Sequence, residues 1–187
     1  MAAAPQLSRR TAFRLTAGGL LAGWTMPVVA APAQPTPTWT PKALSADQAR
    51  TLSAAAEAML PATDTPGAIA AGVPQFVDRT LADWCRAEDA ARIKAGLDRI
   101  EAEAKAAHGQ AFAALAPAQQ LAILKALDAE ARKGPGPHPY RQLKDLVSVG
   151  YFTSRAGATQ ALRYDPVPGA YHGCVPVKTI GRAWATS

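Results

Sequence analysis

Apolar residues recur at helical spacing in five stretches of this chain. Ala49, Leu52, Ala56, Met59 and Leu60 follow a Ser45 and Gln48 pair three residues apart, a capping-box pattern that predicts a helix over about 45–60, ended by Pro61. The loop after it holds Thr63, Asp64 and Thr65, which suit neighbouring backbone donors. Gly72-Val73-Pro74 opens a second helix, with Phe76, Val77, Thr80, Leu81 and Trp84 as its apolar stripe. Asp89 to Ala107 reads as a long third helix with Ile93, Gly96, Leu97, Ile100 and Ala104 inward, stopped by His108-Gly109. Pro117 starts a fourth, whose Leu121, Leu124 and Leu127 read as core, widened by Ile123 and broken by the Pro/Gly run from Lys133 to Pro139. Tyr140 to Phe152 forms a fifth through Leu143, Leu146, Val147 and Gly150, and the stretch to Leu162 has room for one more short helix. The fold class is therefore all-α, a bundle of five or six helices over 44–162.

The two ends read differently. Arg163 to Ser187 has neither a helical period nor a clean alternation, and it is rich in prolines and aromatic residues rather than charge repeats. Such a tail is expected to lie extended against a partner, because rigid turns and aromatic anchors lose little entropy on docking. Tyr164, Asp165, Pro166, Tyr171, His172, Cys174 and Trp184 are its docking candidates. At the other end, residues 1–33 carry a basic start, an apolar run softened by Gly18, Gly19 and Gly23, and the small triplet Ala31-Pro32-Ala33, the three parts of a signal peptide. Ser8-Arg9-Arg10 followed by Phe13 resembles a twin-arginine export signal, with the phenylalanine one place late and Arg14 where an apolar residue is usual. An ordinary secretory signal and an uncleaved anchor are the alternatives. Only about 17 residues separate Arg14 from Pro32, short of a span of about 20. Residues 34–43, rich in Pro and Thr, form a linker expected to stay extended.

Composition narrows the chemistry. With 187 residues, 49% hydrophobic and 18% charged, the chain is long enough for one core and too short for several domains. The net charge of +6 falls to +3 once Arg9, Arg10 and Arg14 leave with the signal, and the remaining charges read as mixed, which argues against nucleic-acid binding. Cys85 and Cys174 have no CxxC or CxxCH context, so zinc, covalent haem and iron–sulfur ligation lack support. In an oxidising compartment they remain candidates for a mutual disulfide or for one to another chain. His172 lies two residues from Cys174, but no third group orients the pair, and no G-x-S-x-G elbow occurs. Asp64 alone is a weak calcium ligand and better read as a turn residue. Trp84 is read as core. No glycine-rich loop between a strand and a helix is present, so any flavin belongs to another chain.

Three longer strings carry a resemblance. They are Leu60-Pro-Ala-Thr-Asp-Thr-Pro-Gly-Ala68 with Gly72-Val-Pro74, Gly150-Tyr-Phe-Thr-Ser154 with Gly157-Ala-Thr159, and Leu162-Arg-Tyr-Asp-Pro-Val-Pro-Gly169 leading to Gly173-Cys-Val-Pro176. Over about 44–184 the chain resembles the gluconate 2-dehydrogenase subunit 3 family, from which only Cys85 departs. The resemblance implies a non-catalytic small subunit without cofactors of its own. Its partner would be a large glucose-methanol-choline-type subunit holding FAD and oxidising a sugar, glucoside or sugar acid, and electrons would leave through a haem c domain elsewhere in the complex or a third, haem c subunit. It also implies a place in the periplasm, with the complex associated with the inner membrane. In that setting Arg9 and Arg10 would bring the folded flavin subunit to the twin-arginine translocase. Two rival readings stand beside it: a free-standing periplasmic enzyme using Cys174 and His172, and a generic helical scaffold of a membrane complex.

Overall fold

The computed structural model describes residues 39–134, 136–167, 169–170 and 174–185. Among these, α1 (Ala46–Met59), α2 (Val73–Asp83), α3 (Ala87–His108), α4 (Pro117–Ala131) and α5 (Pro139–Phe152) form the body, with a 3₁₀ turn at Phe112–Ala114. A π turn at Gly157–Ala161 and the four-residue α6 (Val177–Ile180) follow. The β-pairing among the described residues is one isolated parallel bridge, Arg163 to Trp184. The expected helices are therefore found within one or two residues of their expected ends. The tail departs from expectation, since it contains a helical turn and folds back to pair with its own beginning.

Local chemistry explains the boundaries. The capping box at α1 is complete: the Gln48 N–H donates to Ser45 Oγ at 3.1 Å and the Ser45 N–H to Gln48 Oε1 at 3.2 Å. Gly109 closes α3 with φ of 67°, a left-handed position that suits glycine. His138 caps α5, its Nδ1 accepting the Tyr140 N–H at 3.2 Å. The core runs through Leu52, Val77, Leu97, Ile100, Phe112, Leu124, Leu143 and Val147, all buried. No helix among the described residues is long and apolar enough to cross a membrane.

Two buried faces differ from the apolar stripes. On α2 the core-facing residues are Val73, Pro74, Val77, Asp78 and Leu81, one position away from the expected set. Phe76 consequently lies at the surface, and Trp84 is 82% exposed rather than part of the core. The cause is Asp78, only 2% exposed, whose Oδ2 accepts the Lys42 N–H at 2.8 Å. Its Oδ1 accepts the Ala43 and Leu44 N–H groups at 3.0 and 3.1 Å. Three charge-assisted bonds outweigh the desolvation of one carboxylate and turn the helix so that Asp78 faces in. The same clamp fixes the end of the expected linker, where Trp39 and Ala43 pack against the core instead of trailing free. On α4, Leu124 and Leu127 are buried as expected with Ile123, whereas Leu121 is exposed along a groove it lines with Ala54, Ala58 and Ile69.

Candidate docking site

The tail begins where two loops are locked to α5. The Tyr151 hydroxyl donates to the Pro66 carbonyl at 2.8 Å and lies 3.2 Å from Thr65 Oγ1, joining the 61–69 loop to the end of that helix. Glu57 on α1 secures the other side of the loop, accepting the Ala62 N–H at 3.2 Å and the Ile69 N–H at 2.9 Å. The Thr63 hydroxyl donates to Asp64 Oδ1 at 2.9 Å within that loop. Beyond α5, Ser154 Oγ accepts the Gly157 N–H at 3.0 Å, and a Cβ at Gly157 would fall 2.0 Å from the Tyr151 carbonyl oxygen. The chain can reverse into the π turn only because no side chain is there.

That reversal delivers Arg163 to Trp184. The Arg163 N–H donates to the Ala183 carbonyl and the Ala185 N–H to the Arg163 carbonyl, each at 2.8 Å. The Arg163 guanidinium sits 4.4 Å from the Trp184 ring centroid, a cation–π stack. Arg182 donates to the Gln160 carbonyl. Leu162, Arg163, Tyr164, Ile180 and Arg182 thereby line a cleft of about 380 Å³. Tyr164, which lines it, is 54% exposed, and Trp184, stacked on Arg163 next to it, is 46% exposed.

Of the expected docking residues, Tyr164 lines this cleft and Trp184 is joined to it through Arg163. Asp165 and Pro166 are exposed beside it, and Asp165 Oδ1 accepts the Val167 N–H at 3.2 Å in a local turn. Cys174 is exposed. Tyr171 and His172 lie outside the described residues, as do Arg9, Arg10 and the whole expected signal. Cys85 and Cys174 are both free thiols, so the disulfide considered between them is not made here. Burial first, and the charge of Asp89 second, hold the Cys85 thiol above its ordinary value.

Residue-level reading missed the part of this cleft that carries its charge. Three of the chain's 20 basic residues precede residue 15, and four, Arg155, Arg163, Lys178 and Arg182, lie beyond residue 152 with Asp165 as the lone acid. Thirteen basic and thirteen of the 14 acidic residues remain between, so the helical body is neutral and the excess sits in the tail. The expectation of evenly mixed charge is corrected to this extent. Among the described residues seven of the body's thirteen Lys and Arg side chains have ion-pair partners within it, as Lys144 does with Asp128 at 2.6 Å and Arg99 with Glu103 at 2.7 Å. Neither Arg155 nor any of the three tail cations, Arg163, Lys178 and Arg182, has an ion-pair partner among the described residues. A count of sign by segment reveals this from sequence alone.

Fold and site together define a small all-α domain whose buried polar groups hold its own loops and whose excess positive charge, among the described residues, lies beyond α5 toward a folded-back, aromatic tail. The sequence model of the family described as Gluconate 2-dehydrogenase subunit 3 matches residues 46–169, and the chain belongs to that family. It is thus a member of a family of subunits of an oxidoreductase complex, and subunits of that kind have partner subunits. No curated protein and no solved structure matches it.

Proposed function

We propose that this chain is the small, non-catalytic subunit of a periplasmic FAD-dependent sugar or sugar-acid dehydrogenase, and that it escorts and stabilises the large flavin subunit. In this reading FAD belongs to the large subunit and haem c to a third. Every step assigned to this chain's own residues is one of binding. By associating with the folded large subunit and not with its unfolded chain, it deepens the stability of the folded state by mass action. By carrying Arg9-Arg10 it takes the folded pair to the twin-arginine translocase. The observation that carries the reading is the tail: in a chain of a subunit family, a segment holding Tyr, Trp and Arg is folded back onto its own beginning with Tyr164 and Trp184 still open to solvent.

The test is co-expression with the large dehydrogenase subunit and purification through a tag on this chain. A co-eluting partner absorbing near 450 nm, roughly where the bound flavin chromophore absorbs, supports the reading. A lone colourless chain refutes it. Replacing Arg9 and Arg10 together by lysine is expected to leave the flavin subunit in the cytoplasm, and continued periplasmic delivery would sink the escort role.

A further inference from the structure

We infer that the cleft between Arg163 and Arg182 receives an acidic side chain of the partner subunit, with Tyr164 and Trp184 as the apolar rim of the same contact. The inference rests on the reading of this chain as a partner-bound subunit and names the chemistry of one patch on that partner.

Charge complementarity chooses the occupant. The body is formally neutral, with thirteen basic and thirteen acidic residues, while the cleft gathers two guanidinium groups that have no acidic partner among the described residues. The tail's lone acid, Asp165, is engaged in its own turn through Oδ1. The Arg163 guanidinium carbon lies over the Trp184 ring at 4.4 Å from the centroid, and its N–H groups have no acidic partner among the described residues. Arg182 is steadied by its bond to the Gln160 carbonyl, so its remaining N–H donors are held near the cleft without much loss of side-chain freedom on binding. Leu162 and Ile180 provide an apolar lining that strengthens such a pair by excluding water. Arg, Tyr and Trp are also the residue types that dominate interface energetics. The backbone bridge at Arg163 and Trp184 supports this arrangement before the partner arrives, since both hydrogen bonds are internal to this chain.

The experiment measures binding of the full chain to the flavin-loaded large subunit at several NaCl concentrations. Wild type is compared with Arg182→Glu, Arg182→Met and Arg163→Lys, and circular dichroism melts show whether the helical body is intact. Arg182→Glu is expected to weaken binding at least tenfold at 0.15 M NaCl, roughly what reversing one desolvated contact does. Arg182→Met should flatten the salt dependence, and Arg163→Lys, which keeps the charge but loses the planar stack, should fall between. Unchanged affinity and salt slope in Arg182→Glu and Arg182→Met overturns the inference while leaving the subunit reading in place. Failure of wild type to bind the large subunit overturns both. Vesicles containing phosphatidylglycerol are the second arm: if Arg182→Glu abolishes sedimentation with them but not subunit binding, the cleft serves a lipid surface and the inference fails.

Discussion

Removing the Asp78 carboxylate tests whether the chain segment entering α1 is held by that one side chain. Asp78→Ala orphans three backbone donors, of which Leu44 is in the buried part of the clamp and Lys42 and Ala43 are partly buried. An unsatisfied buried donor costs about 1–3 kcal/mol, and the two partly buried groups recover some of that from water, which gives about 3–4 kcal/mol in total. Asp78→Asn keeps the shape and one acceptor oxygen, enough for the Ala43 and Leu44 bonds, but turns an amide NH₂ toward the Lys42 N–H, so about 1–2 kcal/mol is expected. Urea unfolding monitored by circular dichroism gives the two free energies. Limited trypsin digestion adds a local measurement, because Lys42 precedes a clamped amide, and cleavage there should quicken at least about tenfold in Asp78→Ala as local opening becomes easier. If Asp78→Ala stays within 1 kcal/mol of wild type and Lys42 is cut no faster, the clamp is not what orders this segment.

Tyr140, buried at the start of α5, has its hydroxyl pushed up to about 12, by burial first and by the negative charge of Asp128 second. Its folded value lies above the unfolded one of about 10, so its stabilisation is whole below about pH 10 and is lost as pH rises toward 12. Relative to Tyr140→Phe, wild type should lose about 2 kcal/mol between pH 9 and 11.5 in urea titrations, and parallel pH curves would refute this. Gly150 lets Phe76 approach α5: a Cβ there would lie 2.6 Å from the Phe76 ring. Gly150→Ala gains up to about 1 kcal/mol of helix propensity but costs about 1–3 kcal/mol in displaced ring contacts, so a net loss is expected. The loss should reverse in Phe76→Ala, and a Gly150→Ala variant more stable than wild type with Phe76 present would contradict the contact.

The long helices were legible because their signals are local. The Ser45 and Gln48 box, Pro61, Gly109 and Pro117 each act within one turn of the chain, and the stripe of α3 is regular enough to mark its buried face unaided. The face of α2 was not legible, because Asp78 reads as a surface residue until the distant N–H groups of Lys42, Ala43 and Leu44 are seen to converge on it. Hydrophobic periodicity assigns carboxylates to solvent, and only tertiary structure supplies the donors that reverse the rule. Glu57 and Glu101 escaped for the same reason. Glu101 Oε2 accepts the Phe112 N–H at 3.1 Å and the Thr51 hydroxyl at 3.2 Å, a joint among α1, α3 and the 3₁₀ turn. At the candidate site, Tyr164 and Trp184 were singled out for their aromatic character, whereas Arg163 and Arg182 acquire meaning from a pairing across about twenty residues of sequence.

The strings that mark this family are, in the folded chain, parts of one joint. Pro66 and Thr65 from the first string meet Tyr151 from the second, and Gly157 from the same string fits against the Tyr151 carbonyl. The third string starts at Leu162, whose N–H donates to the Gly157 carbonyl at 2.9 Å. Each string therefore determines where the next one begins, and the last of them opens at the Arg163 to Trp184 bridge. Under the binding role proposed above, such a joint fixes the direction of the contact surface, which binding needs as strictly as an enzyme needs fixed groups. On that view a substitution at Tyr151 or Gly157 would reach the partner through the angle at which the tail leaves α5, while one at Arg182 would reach it directly.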